Sequence, residues 1–294
     1  MDKSLRLLSS TKSQWYKFIN TNRPGPDIPD TLIIDLSDCN FLEPIHIVMI
    51  SCLIEEYYQL GSKIEFQTGN RLEVNEYLRG INFFDYWTDG FNRNTYTPTF
   101  KATNLALWKL DGSMISEYVI RAQKYFEQNY MQGKSVEPLN IALAEIFNNI
   151  LDHSQSSVTG YCLSQYYPNS QKMKIAVCDF GKGIPIVVND YLASFGNAPL
   201  KHDLAIIKSL EKTFSSKSAP HNKGLGLDTI KEIVLSCSGE LRIISNYGYY
   251  HLGPSGPNHY LLKSTFEGTL LEIILDTNTF GAKDEDFRIE DFEF

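Results

Sequence analysis

The apolar run from Pro44 to Ile54 constrains the fold most, because His46 and Ser51 are its only side chains with a strong call on water. It is too short for a bilayer, which needs about 20 apolar residues, so it reads as a buried helix. Extended as IHIVMISCLIEEYYQLG, it closes at Gly61, a residue suited to the left-handed cap. TLIIDL before it and KIEFQT after it read as strands, and VNEYLRGINFFDYW as a further helix. That alternation implies a small parallel α/β layer. Ahead of it, Leu5 to Asn20 reads as an amphipathic helix ended by RPGPDIP.

The polar, Asn- and Thr-rich stretch from Asp89 to Asn104 reads as a linker. A helix is expected over Ser113–Gln132, then another, N-capped by Ser135, running to about His153. TGYCLSQYYPNSQKMKIAVCDFG reads as a two-stranded hairpin turning at Pro168-Asn169-Ser170. Residues 185–223 read as irregular, with one helical stretch near Pro199–Lys212. Leu225–Cys237 reads as a helix closed by Gly239, and ELRIISN and GTLLEIILD as two strands. The division is therefore 1–95, 102–280 and an acidic tail, 281–294, read as solvated.

A net charge of -8 argues against non-specific nucleic-acid binding, which needs basic surface. Five scattered cysteines without a CxxC pair fit reduced thiols, and the N-terminus has no long apolar segment of the signal-peptide kind. The expected setting is cytoplasmic, away from membranes.

Three short elements carry chemistry, in order. In EIFNNILDH, Glu145 and Asn149 are four apart and share a helix face. An amide oxygen there can ligate Mg²⁺, and a carboxylate one turn earlier can deprotonate a water or hydroxyl. In Asp179-Phe180-Gly181-Lys182-Gly183-Ile184, an acid at a strand end can accept from a purine amino group, and the glycines let the backbone approach a ligand. In Asn222-Lys223-Gly224-Leu225-Gly226-Leu227, glycines open a helix whose N–H groups suit phosphate, and Lys217 just upstream could reach a terminal phosphate.

Together these elements resemble the boxes of the GHKL ATPase superfamily, whose members include gyrase, heat-shock chaperones and histidine kinases, with Gly268-Thr269 resembling the closing strand's box. The resemblance implies a Bergerat-type α/β sandwich, a mixed sheet with helices on one face, binding ATP and Mg²⁺. It makes Glu145 the general base, Asn149 the metal ligand and Asp179 the adenine reader. Gly181 and Gly183 would shape the base pocket, with Lys182 and Ile184 of the same box also on the cofactor, Gly224, Leu225, Gly226 and Leu227 would hold phosphates, and Thr269 would close the site. EIFNNILDHS is similar to anti-sigma serine kinases, including His153, which reads as a helix-end packing residue. TFSSK is similar to the histidine-kinase lid.

The stretch LIIDLSDCNFLEPIHIVMISCLIEEYYQLGSKIEF resembles a STAS domain, the fold of anti-sigma-factor antagonists. Glu43-Pro44-Ile45-His46 stands where that family carries its phosphorylated hydroxyl, so phosphorylation at the usual place is not expected. The resemblances imply a bacterial ATP-dependent switch, either a serine/threonine kinase or an ATPase acting on a protein partner, STAS-like or other, with a homodimer allowed. The alternatives are a slow ATPase that drives conformational cycling of a dimer and a non-catalytic nucleotide sensor.

Overall fold

The computed structural model describes residues 2–7, 12–88, 90–91, 103–105, 107–109, 115–153, 160–211 and 227–282. Most of the expected linker and of the acidic tail lies outside these residues.

The N-terminal layer is a three-stranded parallel sheet, β1 (Asp2–Arg6), β2 (Thr31–Asp35) and β3 (Lys63–Gln67), in the order β1-β2-β3. Alternation decides β2: Leu32 and Ile34 are fully buried while their neighbours are half-buried. The expected helix from Leu5 is corrected. Leu5 lies in β1, Leu7 N–H extends the ladder to Asp35 O at 2.8 Å, and the helix α1 spans only Lys12–Thr21. The apolar run forms α2 (Pro44–Gln59), and Gly61 follows it at φ +95°. The single helix expected after β3 is broken. α3 (Leu72–Gly80) stops, Asn82 turns at φ +57°, and one 3₁₀ turn covers Asp85–Trp87. There Phe83 and Trp87 pack edge-on at 5.0 Å, and Phe83 meets Phe66 at 5.5 Å, an inward aromatic cluster against β3.

The second layer comprises β4 (Trp108–Lys109), α4 (Ile115–Asn129), α5 (Glu137–His153), β5 (Tyr161–Tyr167), β6 (Lys172–Asp179), α6 (Ile184–Ser194), α7 (His202–Ser209), α8 (Leu227–Ser236), β7 (Glu240–Gly253) and β8 (Gly256–Asp276). Ser135 Oγ accepts the Glu137 N–H at 3.3 Å at the start of α5. The sheet order is β4-β5-β6-β8-β7, and every pairing among the described residues is antiparallel, not mixed. Short hairpin turns impose two of these pairings: β5 returns as β6 through Gln171 at φ +52°, and β7 as β8 through Gly256 at φ +91°. α6 replaces part of the expected irregular stretch. Its β-branched residues are poor helix formers, but Pro185 in the first turn is pre-set for a helix start, and Val188 is buried.

Helices α4, α5 and α8 pack on one face of this sheet, and α2 of the N-terminal layer covers the other. Ile175, Val177, Ile243 and Ile273 share one core cluster with residues of α4, α5 and α8. Ala176, Cys178, Ile244 and Leu270 share the other with α2. The second contact is intimate. Cys52 Sγ lies 3.1 Å from Cys178 O, and buried Glu55 accepts from Lys109 Nζ at 2.6 Å and Tyr161 O–H at 2.8 Å. Helix α2 therefore sits in a single core that joins the parallel layer to one face of the antiparallel sheet. β7 and β8 run beyond the expected strands as a long hairpin held against α7. Tyr247 N–H donates to His202 Nδ1 at 3.1 Å, and His259 Nδ1 pairs with Asp203 at 2.9 Å.

All five cysteines are buried thiols. Among the described residues no helix is long and apolar enough to cross a membrane.

Candidate functional site

β6 delivers Asp179 to the rim of the antiparallel sheet. The strand alternates into both cores and ends where the sequence turns to Phe180-Gly181. The Asp179 carboxylate is buried, and its Oδ1 accepts the Gly181 N–H at 2.7 Å. Burial pushes its pKa up to about 7, and hydrogen bonds from the Gly181 and Thr269 backbones hold it from rising further. A buried acid so poised at a strand end marks a candidate site.

Thr269 is Asp179's register partner on β8, so the ladder places these two expected residues side by side. Gly268, one residue earlier, has φ +118°, and a Cβ there would lie 2.1 Å from Asp179 O. Gly183 has φ +83°, and a Cβ there would meet Asn246 Oδ1 at 2.5 Å and Ser245 Oγ at 2.8 Å. Only glycine leaves room at both places.

Two residues without a motif complete this corner. Ser245 Oγ accepts the Ile184 N–H at 2.9 Å, donates to Gly268 O at 2.7 Å and lies 3.1 Å from Thr269 Oγ1. It ties the start of α6 to β8. Asn246, at a β-bulge with φ +50°, donates from Nδ2 to Lys182 O at 3.2 Å, and its buried Oδ1 has no hydrogen-bond partner among the described residues. Their only sequence signal is a pair of polar residues ending the apolar strand ELRIISN. Lys182 takes part through its carbonyl, for its ammonium turns outward toward Asp190 at 3.8 Å.

Glu145 is buried on α5. Burial first, and then the charge of Asp228 in the first turn of α8, lift its pKa to about 7. Asp228 suits its place, since a carboxylate is favoured at a helix N-terminus. Leu227, beside it, is buried. Asn149 stands one turn after Glu145 on α5, with its side chain outside the described residues, as is that of His153. Lys217, Gly224, Leu225 and Gly226 also lie outside them. The structure thus brings together Asp179, Gly181, Gly183, Ile184 and Thr269, and separately sets Glu145 against the helix that Leu227 opens.

No protein-family model matches this sequence, and no curated protein matches it. The functional reading rests on the residues and their geometry.

Proposed function

We propose that this chain binds ATP with Mg²⁺ in a GHKL-type site and acts on a protein partner as an ATP-dependent switch, through serine/threonine phosphorylation or hydrolysis. The observation that carries the proposal is Asp179: a buried carboxylate poised near pH 7, paired in register with Thr269 and flanked by the glycines at 183 and 268. A purine amino group meeting that carboxylate would gain a charge-assisted hydrogen bond in a site shielded from water. Thr269 and the Gly181–Ile184 backbone would bound the base. Bound Mg²⁺, held through Asn149, would neutralise phosphate charge. Glu145 would take the proton from the attacking hydroxyl or water, and a pKa about 7 leaves it able to do so at neutral pH.

The same reading makes residues 1–95 a STAS-like docking unit on a Bergerat-type domain, working in a reducing cytoplasm. Glu43-Pro44-Ile45-His46 forms the capped start of α2: His46 Nδ1 accepts the Glu43 N–H at 3.0 Å, and the Glu43 carboxylate pairs with Lys174 on β6. A turn so occupied offers no hydroxyl and faces the sheet, which supports a holding role over that of phosphoacceptor.

The deciding experiment incubates the full chain with Mg²⁺ and γ-labelled ATP, beside Glu145→Ala and Asp179→Asn. Label released or moved to a partner in a Glu145-dependent way supports the switch. ATP binding without turnover leaves a sensor. Absence of binding by the wild-type chain sinks the proposal, and label on residues 1–95 sinks the docking role.

A further inference from the structure

Arg23 follows α1 in sequence, yet its guanidinium lies at the corner of the candidate nucleotide site. Nε donates to Glu56 Oε2 at 2.8 Å, and Nη2 pairs with the other oxygen of that carboxylate, a fork held by α2. Nη1 reaches Glu267, donating to its carbonyl and its carboxylate, each at 3.3 Å. Its Cζ lies over the Phe180 ring, 4.2 Å from the ring centre. Phe180 in turn meets Phe266 edge-on at 6.1 Å, and Phe266 meets Tyr16 of α1 at 6.3 Å.

These contacts fall on both chain segments that meet at the Asp179 corner. Phe180 lies between Asp179 and Gly181, whose N–H holds the carboxylate. Glu267 immediately precedes Gly268, the point at which β8 passes closest to Asp179 O. One cation from the N-terminal layer thus grips the residue after the acid and the residue before the closing strand's glycine. Only arginine combines a planar fork for Glu56 with a face for an aromatic ring.

We propose that Arg23 is a positioning residue for the nucleotide site, fixing the spacing between the Asp179 turn and the Gly268–Thr269 strand so that the base is bound only while the N-terminal layer is docked. This rests on the nucleotide reading above. Whatever draws α1 and α2 from the sheet would then lower nucleotide affinity without touching the phosphate-binding residues.

The test uses the full chain with Arg23→Ala and Arg23→Lys, and two readouts. Amide hydrogen exchange without nucleotide should accelerate in residues 179–183 and 267–269 of Arg23→Ala. Displacement of a fluorescent ATP analogue should show ADP weakened about tenfold, equivalent to about 1.4 kcal/mol, with inorganic triphosphate unaffected. Arg23→Lys keeps the charge but loses fork and stack, and should fall between. Wild-type exchange and wild-type ADP affinity in Arg23→Ala would overturn the proposal, as would equal weakening of ADP and triphosphate. Faster exchange in the two segments, with no ADP bound even by the wild-type chain, would retain the clamp and remove the nucleotide reading. Should Arg23→Ala fail to fold, Phe180→Leu, which removes the stacked ring and spares the ion pair, serves the same comparison.

Discussion

Glu145 on α5 and Asp228 on α8 are two carboxyl groups near enough that the charge of the second adds to burial in raising the first to about 7. A general base works only when ionised, so turnover should rise with pH through that value. Asp228→Asn removes one of the two causes and should move the acidic limb of the kcat/KM profile down by roughly half a unit to one unit. An unmoved limb would show that Glu145 is not the titrating base.

Asp179→Asn should act in opposite directions on stability and binding. The folded pKa of Asp179 is about 7 against an ordinary 3.8. Between those values the native state holds a proton that the unfolded state has lost, so this group's contribution falls as pH rises through the window. At pH 8 the amide should therefore stabilise the nucleotide-free protein by on the order of 1–3 kcal/mol, with the gain gone near pH 4. Adenine-nucleotide affinity should drop roughly tenfold or more, the loss of one charge-assisted hydrogen bond. Thermal melts at both pH values and calorimetric titration with ADP check the two halves independently.

Gly268→Ala and Gly61→Ala pose a steric contrast. Both glycines have positive φ, but a Cβ at 268 would meet Asp179 O at 2.1 Å, whereas nothing lies within 4 Å of one at 61. The change at 61 should cost about 1 kcal/mol, that of the left-handed backbone alone. At 268 it should cost roughly 3 kcal/mol or more, since the strands must separate. Urea unfolding of both variants measures the difference.

Glu55 is buried between Lys109 and Tyr161 at the contact of α2 with the antiparallel sheet. Lys109→Met should destabilise the protein by roughly 3–5 kcal/mol by leaving a buried carboxylate without its cation, and Glu55→Gln in that background should recover part of the loss. The wild-type chain should melt in one calorimetric transition, because one core, which includes α2, joins the parallel layer to the antiparallel sheet. Two separate transitions would refute that coupling.

Much of the scaffold is legible from pattern. β2, β3 and α2 follow from alternation and an apolar run, and the β5–β6 hairpin from two β-rich segments around Pro168-Asn169-Ser170. Leu5 misleads because one apolar spacing serves a helix and a short strand alike, and only the β2 ladder decides it. The β8 arm ahead of Gly268 escapes because its exposed residues lack a buried alternating face, and the β7 arm beyond Asn246 because its inward positions, Gly248, Tyr250 and Leu252, begin with a glycine and carry few β-branched neighbours. Asp179 and Thr269 are visible as motif residues, but their register is not. Ser245, Asn246 and Arg23 reach the corner by contacts made across the fold, for which a chain read in order gives no sign.

Helix α2 is buried along nearly its whole length, with one side closing the parallel layer and the other the antiparallel sheet. For heredity this means that the two halves are not interchangeable parts. A lineage could shed the first or exchange it only by supplying another apolar lid for Ala176, Cys178 and Leu270 in the same step. A gene cut near residue 95 would be felt far from the cut, at the strand that carries Asp179.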